Sequence, residues 1–120
     1  MNKAKKGRVF VVQKTMRWDA QKGELVPKFD LTPAERHGQI EYLLSPTASP
    51  FRPDALMDEL HDKLSTITED DCLLLVGNPV LIGMAVAIAA DYTDGNVRVL
   101  QWSGKHGEYI PIDIRNLFAQ

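Results

Sequence analysis

From Cys72 to Ala90 the sequence reads CLLLVGNPVLIGMAVAIAA, without one charged side chain and interrupted only at Gly77-Asn78-Pro79. A continuous apolar run of this length would suit a membrane-spanning helix, but Gly, Asn and Pro at its middle divide it into two elements. The first, Cys72 to Val76, is five apolar residues without alternation, the pattern of a central strand covered on both faces. The second, Val80 to Ala90, has no polar side chain and is rich in small residues (Gly83, Ala85, Ala87, Ala89, Ala90), which predicts a buried helix lying close against its neighbours. The break has the chemistry of a strand-to-helix turn. Gly77 permits a tight exit, Asn78 can cap the helix, and Pro79 can start it without sacrificing a bonded amide.

The flanking sequence supplies further strands and one more helix. Arg8-Val-Phe-Val-Val-Gln13 is β-branched and aromatic and reads as a strand continuing through Thr15 and Met16 to Trp18. Asp19-Ala-Gln-Lys-Gly23 offers turn chemistry, and Glu24 to Phe29 can return as the second arm of a hairpin, confined to a sheet edge by Pro27. Thr32-Pro33-Ala34-Glu35 has the signature of a capped helix start, yet Gly38 follows closely and Ile40, Tyr42 and Leu44 alternate. One helical turn followed by a strand is the reading adopted, with a single helix from Pro33 to Leu44 as the alternative. After the proline-containing loop Ser45–Pro50, Leu56, Leu60, Leu64 and Ile67 are spaced four, four and three apart, predicting an amphipathic helix that faces water through Asp58, Glu59, Asp62 and Lys63. Beyond the Asp94-Gly95-Asn96 turn, Val97–Trp102 and Tyr109–Ile114 flank a Gly-rich loop as a second hairpin, with Pro111 marking the last strand as an edge.

The resulting order is β-hairpin, β, α, β, α, β, β. Strands separated by helices imply parallel pairs with right-handed crossovers. The expected fold is α/β: a single small domain whose mixed sheet has parallel central strands, with 72–76 the innermost, helices packed on the sheet and antiparallel edge strands. Residues 8–117 form that domain, and residues 1–7 form a basic tail expected to be flexible. At 120 residues the chain can bury a sufficient core without disulfides or metal. Its one cysteine, Cys72, lies in the apolar strand, where a thiol behaves as a small hydrophobe, and fits a reducing compartment. The basic start MNKAKKGR lacks the apolar stretch of a signal peptide, so the expectation is a cytoplasmic protein with no membrane partner.

A net charge of -2 conceals an asymmetry. Residues 1–28 carry eight basic side chains against Asp19 and Glu24, whereas residues 52–94 carry nine acids against Arg52 and Lys63. This pattern marks either a polyanion-binding edge, two faces that meet in a homo-oligomer, or a solvated tail beside a solvated helix.

Catalytic signatures are absent. No G-x-S-x-G elbow occurs, Cys72 is an inert strand thiol, and His37, His61 and His106 show no metal-ligand spacing, so no catalytic residue, metal or cofactor is assigned. The turn at Gly77, Asn78 and Val80 is a candidate ligand or anion site, because open α/β sheets gather ligands beyond the carboxyl ends of their strands. It matches neither G-x-G-x-x-G nor G-x-x-x-x-G-K-[ST], and holds no basic side chain. Lys14, Arg17, Trp18, Trp102 and Tyr109 are candidate macromolecule-binding residues, and Phe10 with Trp18 and Arg17 could stack on nucleic acid. The last strand offers an edge for a protein partner.

The stretch DDCLLLVGNPVLIGMAVAIAADYTDGNVRVLQWSGKHGEYIPIDI, with FDLTPAERHGQIEYLL upstream, resembles small accessory proteins encoded by tailed bacteriophages. The shared features are an acidic pair before an apolar strand, a Gly-x-Pro turn, an Ala-rich helix, a Val-x-Leu-x-Trp strand and a Tyr-x-Pro strand. The likeness spans roughly residues 8–114 and transfers no catalytic residue. It implies a phage protein expressed in the host cytoplasm. The expected function is non-enzymatic binding of a host or phage macromolecule, with a protein partner or a homodimer. The alternative is a small nucleotide- or nucleic-acid-binding protein using the Gly77-Asn78-Pro79 turn.

Overall fold

A computed structural model describes residues 7–119. Its elements run β1 (Gly7–Gln13), β2 (Met16–Asp19), β3 (Glu24–Pro27), a 3₁₀ helix (Thr32–His37), β4 (Gly38–Leu44), α1 (Asp54–Leu64), β5 (Cys72–Leu74), α2 (Pro79–Tyr92), β6 (Val97–Ser103) and β7 (Glu108–Ile114). The main sheet has the strand order β4-β1-β5-β6-β7, parallel throughout except for β7, which returns antiparallel to β6. The α/β architecture with parallel centre therefore holds, and β5 occupies the middle position. The flexible-tail expectation falls on residues that, Gly7 apart, lie outside the described ones.

Both faces of the sheet are covered, which is why the central strands lack polar alternation. Phe10 and Val12 of β1, Leu73 of β5 and Val97 and Val99 of β6 face the α-helices, where they meet Leu60 and Leu64 of α1 and Leu81, Ala85 and Ala89 of α2. Val9, Val11, Cys72, Leu74 and Leu100 face the other way and meet Leu31, which precedes the 3₁₀ helix, Ala34 within it, and Tyr109. The connection from β1 to β4 runs on one face and the two helical crossovers on the other, so the sheet is doubly wound.

Three local expectations are corrected. The strand that was to run from Arg8 to Trp18 breaks at Lys14-Thr15: the Lys14 amide makes the last bond to β4, at Leu44 O, and Thr15 O accepts instead from the Lys28 amide at the base of a separate ribbon. The chain then leaves the sheet, and β2 pairs with β3 as a separate ribbon in the register Trp18↔Leu25. The ribbon turn is closed by Asp19, whose Oδ1 accepts from the amides of Gln21 and Lys22. Second, α2 is not buried all round. Leu81, Ala85, Ile88, Ala89 and Ala90 are buried, but Val80, Gly83 and Ala87 are exposed, since α2 packs on one side only. Third, Lys63 does not simply face water: its Nζ donates to Leu43 O at 2.8 Å as well as to Glu59. The amine thereby occupies a free carbonyl of the edge strand β4, a position where lysine also discourages edge-to-edge pairing.

The region 32–44 resolves as a short 3₁₀ turn followed by a strand. Gly38 is buried directly beside Gly7 in the parallel β1–β4 ladder, which leaves the longer helix no room.

Candidate functional site

In a doubly wound sheet the chain leaves two neighbouring strands in opposite directions, and a crevice opens between their carboxyl ends. Here those strands are β1 and β5: β1 is followed by a connection to β4 on one side, and β5 by α2 and then β6 on the other. A crevice of about 780 Å³ lies at this point. It is lined by the ends of the parallel strands, Gln13 and Lys14, Leu74 to Asn78, and Leu100 to Trp102. Met16, Lys28, Phe29, Asp30 and Tyr109 complete its wall. Its volume falls within the usual range for small-molecule sites.

Gln13 organises the floor. Its side chain is buried and closes three hydrogen bonds: Oε1 accepts from the Asn78 amide at 3.0 Å, and Nε2 donates to Ser45 O at 3.2 Å and Ala48 O at 3.3 Å. Its own amide donates to Val76 O. One side chain thus ties the end of β1 to the loop before α2 and to the loop before α1. Gly77 makes this possible. It sits at φ +129, and a Cβ there would lie 2.6 Å from Gln13 Cβ.

The three residues expected at the turn, Gly77, Asn78 and Val80, fall in or beside the crevice, and the backbone donors of Asn78 and Val80 are already engaged. The Asn78 amide is taken by Gln13, the Val80 amide by Asn78 Oδ1 at 2.9 Å, and Pro79 has none. Asn78 is therefore a cap, as its sequence position predicted. Positive charge comes instead from side chains. The Lys14 and Lys28 amines lie over the rings of Tyr42 and Phe29, at 5.3 and 5.4 Å from the centroids, and neither forms an ion pair with a carboxylate among the described residues.

Aromatic surface lines the same crevice. Trp102 is 46% exposed and stands edge-on to Tyr109, with centroids 4.9 Å apart, and Phe29 is 44% exposed. Tyr109 itself is 6% exposed and belongs to the core beneath the crevice. Of the macromolecule-binding candidates, the structure thus brings Lys14, Trp102 and Tyr109 together, while Arg17 and Trp18 stand on the ribbon outside the crevice wall. Phe10 is fully buried against the helices and presents no surface to a partner.

Asp30 and Tyr109 of the wall, and Cys72 of β5, are not poised for proton transfer near neutrality. Asp30 is held below the ordinary carboxylate range by hydrogen bonds from Thr32, and Tyr109 is raised by burial and by the charge of Asp30. The Cys72 thiol is pushed up to about 11, mainly by burial. Each shift favours the form the group already holds at pH 7.

The histidines are dispersed. His37 Nε2 bonds Tyr109 O, His61 Nδ1 bonds Tyr92 Oη, and His106 Nδ1 bonds Ser103 Oγ. Among the described residues no group of three His, Cys, Asp or Glu could hold a metal ion, and no helix is long and apolar enough to cross a membrane.

A second cavity, about 860 Å³, opens at the opposite end of the sheet around Arg8, Asp70 and Asp71. Its buried carboxylate is fully engaged. Asp71 accepts from the Arg8 amide at 2.7 Å, from Arg8 Nη2 at 3.0 Å and from the Thr68 amide at 2.8 Å. Burial alone would raise this carboxyl, but the donors from Arg8 and Thr68 outweigh it and hold its pKa below the ordinary value.

Residues 7–116 match a family model described as Phage Pam3 gp32-like protein. No curated protein and no solved structure matches the chain.

Proposed function

The chain belongs to the Phage Pam3 gp32-like protein family, and from that premise we propose that it is a phage accessory protein acting by binding rather than turnover, with a nucleotide as the ligand of the crevice. The observation that carries this reading is the crevice at the switch point between β1 and β5, whose lining combines two lysines without carboxylate partners among the described residues, Lys14 and Lys28, with exposed Phe29 and Trp102. A nucleotide offers what such a wall can hold: an aromatic base for stacking and a phosphate for the amines. The side-chain amide of Gln101 gives the wall further polar character. Nothing in it couples a nucleophile to a base, which favours binding over catalysis.

The test is a titration of 5′-mononucleotides, followed by tryptophan fluorescence and calorimetry. Saturable binding that weakens about tenfold or more when Lys14 and Lys28 are both replaced by Ala is expected. Heat and fluorescence that stay flat to millimolar nucleotide would remove the reading.

A second reading rests on a different surface. β7 is paired only to β6, and Ile112 on it is 45% exposed, so a protein, or a second copy of the chain, could add a strand to that edge. Pro111 removes one donor from the edge. Light scattering distinguishes a monomer from a dimer, and Ile112→Lys would dissociate a dimer built this way.

A further inference from the structure

We infer that the nucleotide in the crevice is one unit of a single-stranded nucleic acid, and that the β2–β3 ribbon carries the strand onward. This rests on the reading of the crevice as a nucleotide site and adds a second position to it.

Trp18 is 62% exposed, and its cross-strand partner Leu25 is 60% exposed. A ribbon that packs its largest side chain into solvent gains no stability from it, so the ring is free for a partner. Its placement follows from strand alternation. Met16 and Trp18 lie on the same face of β2, because residues two apart share a face. Met16 lines the crevice, so Trp18 stands on the continuation of that wall, about 7 Å further along the strand.

Basic groups accompany this path. Lys14 and Lys28 stand where the ribbon joins the crevice, and Lys22 lies in its exposed turn. The acids of residues 52–94 do not enter the crevice wall; the acids on the path are Asp30 in the wall and Asp19 and Glu24 at the ribbon turn, against Lys14, Arg17, Lys22 and Lys28. An aromatic platform beside a groove with amines is how proteins hold single strands without regard to sequence. A protein docking on the same aromatics would not need the amines, and a duplex would offer no free base faces for Trp18, so the single strand is the partner this wall fits.

The experiment compares 5′-dTMP with an oligothymidylate of about eight nucleotides, by calorimetry and fluorescence anisotropy at low salt. The oligonucleotide is expected to bind more tightly than dTMP, with an affinity that falls as salt rises. Trp18→Ala should weaken the oligonucleotide about 5- to 150-fold while leaving dTMP affinity and the urea midpoint unchanged, and Trp18→Phe should restore much of the loss. If dTMP binds but the oligonucleotide binds no tighter, or if Trp18→Ala leaves the oligonucleotide unaffected, the ribbon inference is overturned and the mononucleotide site stands. If neither binds, both readings fall.

Discussion

Replacing Gln13 by Met tests whether one side chain holds the crevice together. Met has nearly the same length and none of the donors or acceptors, so it removes three hydrogen bonds without adding bulk. Each bond contributes about 1 kcal/mol net, and the site is buried, so the expected loss is about 3 kcal/mol. The thioether recovers part of this by its own burial, which sets a lower bound near 2 kcal/mol. An unfolding entropy of about 2.1 cal/mol/K per residue over 120 residues converts 3 kcal/mol into a fall in Tm of roughly 12 °C. Urea unfolding followed by circular dichroism measures it, and the denaturant slope should not change, because the surface exposed on unfolding is the same. Amide exchange should quicken at Asn78 and Ala48 before other positions, since those loops lose their common anchor. A loss under about 1 kcal/mol, or unchanged exchange at Asn78, would refute the idea that Gln13 joins the two loops.

Other consequences follow from neighbouring geometry. Gly77→Ala forces a Cβ against Gln13 at positive φ and should cost about 3 kcal/mol in the same urea assay; a change below 0.5 kcal/mol would contradict it. Asp71 is held below its ordinary pKa, so its contribution to stability is present above the unfolded carboxyl value and is lost as pH falls through the lower folded value. Asp71→Asn should therefore cost about 2 kcal/mol at pH 7 and flatten the acid limb of the stability profile below about pH 4, and an unaltered limb would show that Asp71 is not responsible. Leu60→Ala, at a fully buried α1 position, should cost 2–5 kcal/mol, roughly the range for core Leu truncations. Cys72 should resist alkylation in the folded chain and react only on unfolding, given a thiol raised to about 11; rapid labelling at pH 7.5 would contradict its burial.

The sequence was most informative where burial dictates pattern. The spacing of Leu56, Leu60 and Leu64 located α1, although the helix ends at Leu64 and Ile67 enters the core from the loop beyond it, and the unalternating run at Cys72 located the middle of the sheet, because each pattern reports which sides of an element meet apolar neighbours. The capping role of Asn78 was equally legible from its place before Pro79. The break after Gln13 was not, because no Gly or Pro marks it; it shows only where Thr15 O leaves the sheet and accepts from the Lys28 amide. The outer side of α2 misled for a related reason: Val80 and Ala87 are apolar yet have nothing packed over them, and hydropathy cannot tell an unpartnered face from a buried one.

The crevice was legible only in part. Its location could be inferred from Gly77-Asn78-Pro79, and Lys14, Trp102 and Tyr109 were singled out for partner binding. Met16, Lys28, Phe29, Asp30 and Gln101 carry no motif, and they meet only because the crossovers bring four distant strand ends together. Gln13 gave one weak signal, a polar residue closing an apolar strand, whose meaning depends on loops more than thirty residues away.

The most direct test of the central claim is a backbone amide titration of the full chain with 5′-AMP, with inorganic phosphate as a parallel series. The account predicts saturable shifts at Gln13 to Met16, Lys28 to Asp30, Val76 to Asn78 and Gln101 to Trp102, and quiet signals around Arg8 and Asp71 at the far end of the sheet. Shifts confined to that far end, or none at millimolar nucleotide, would contradict it.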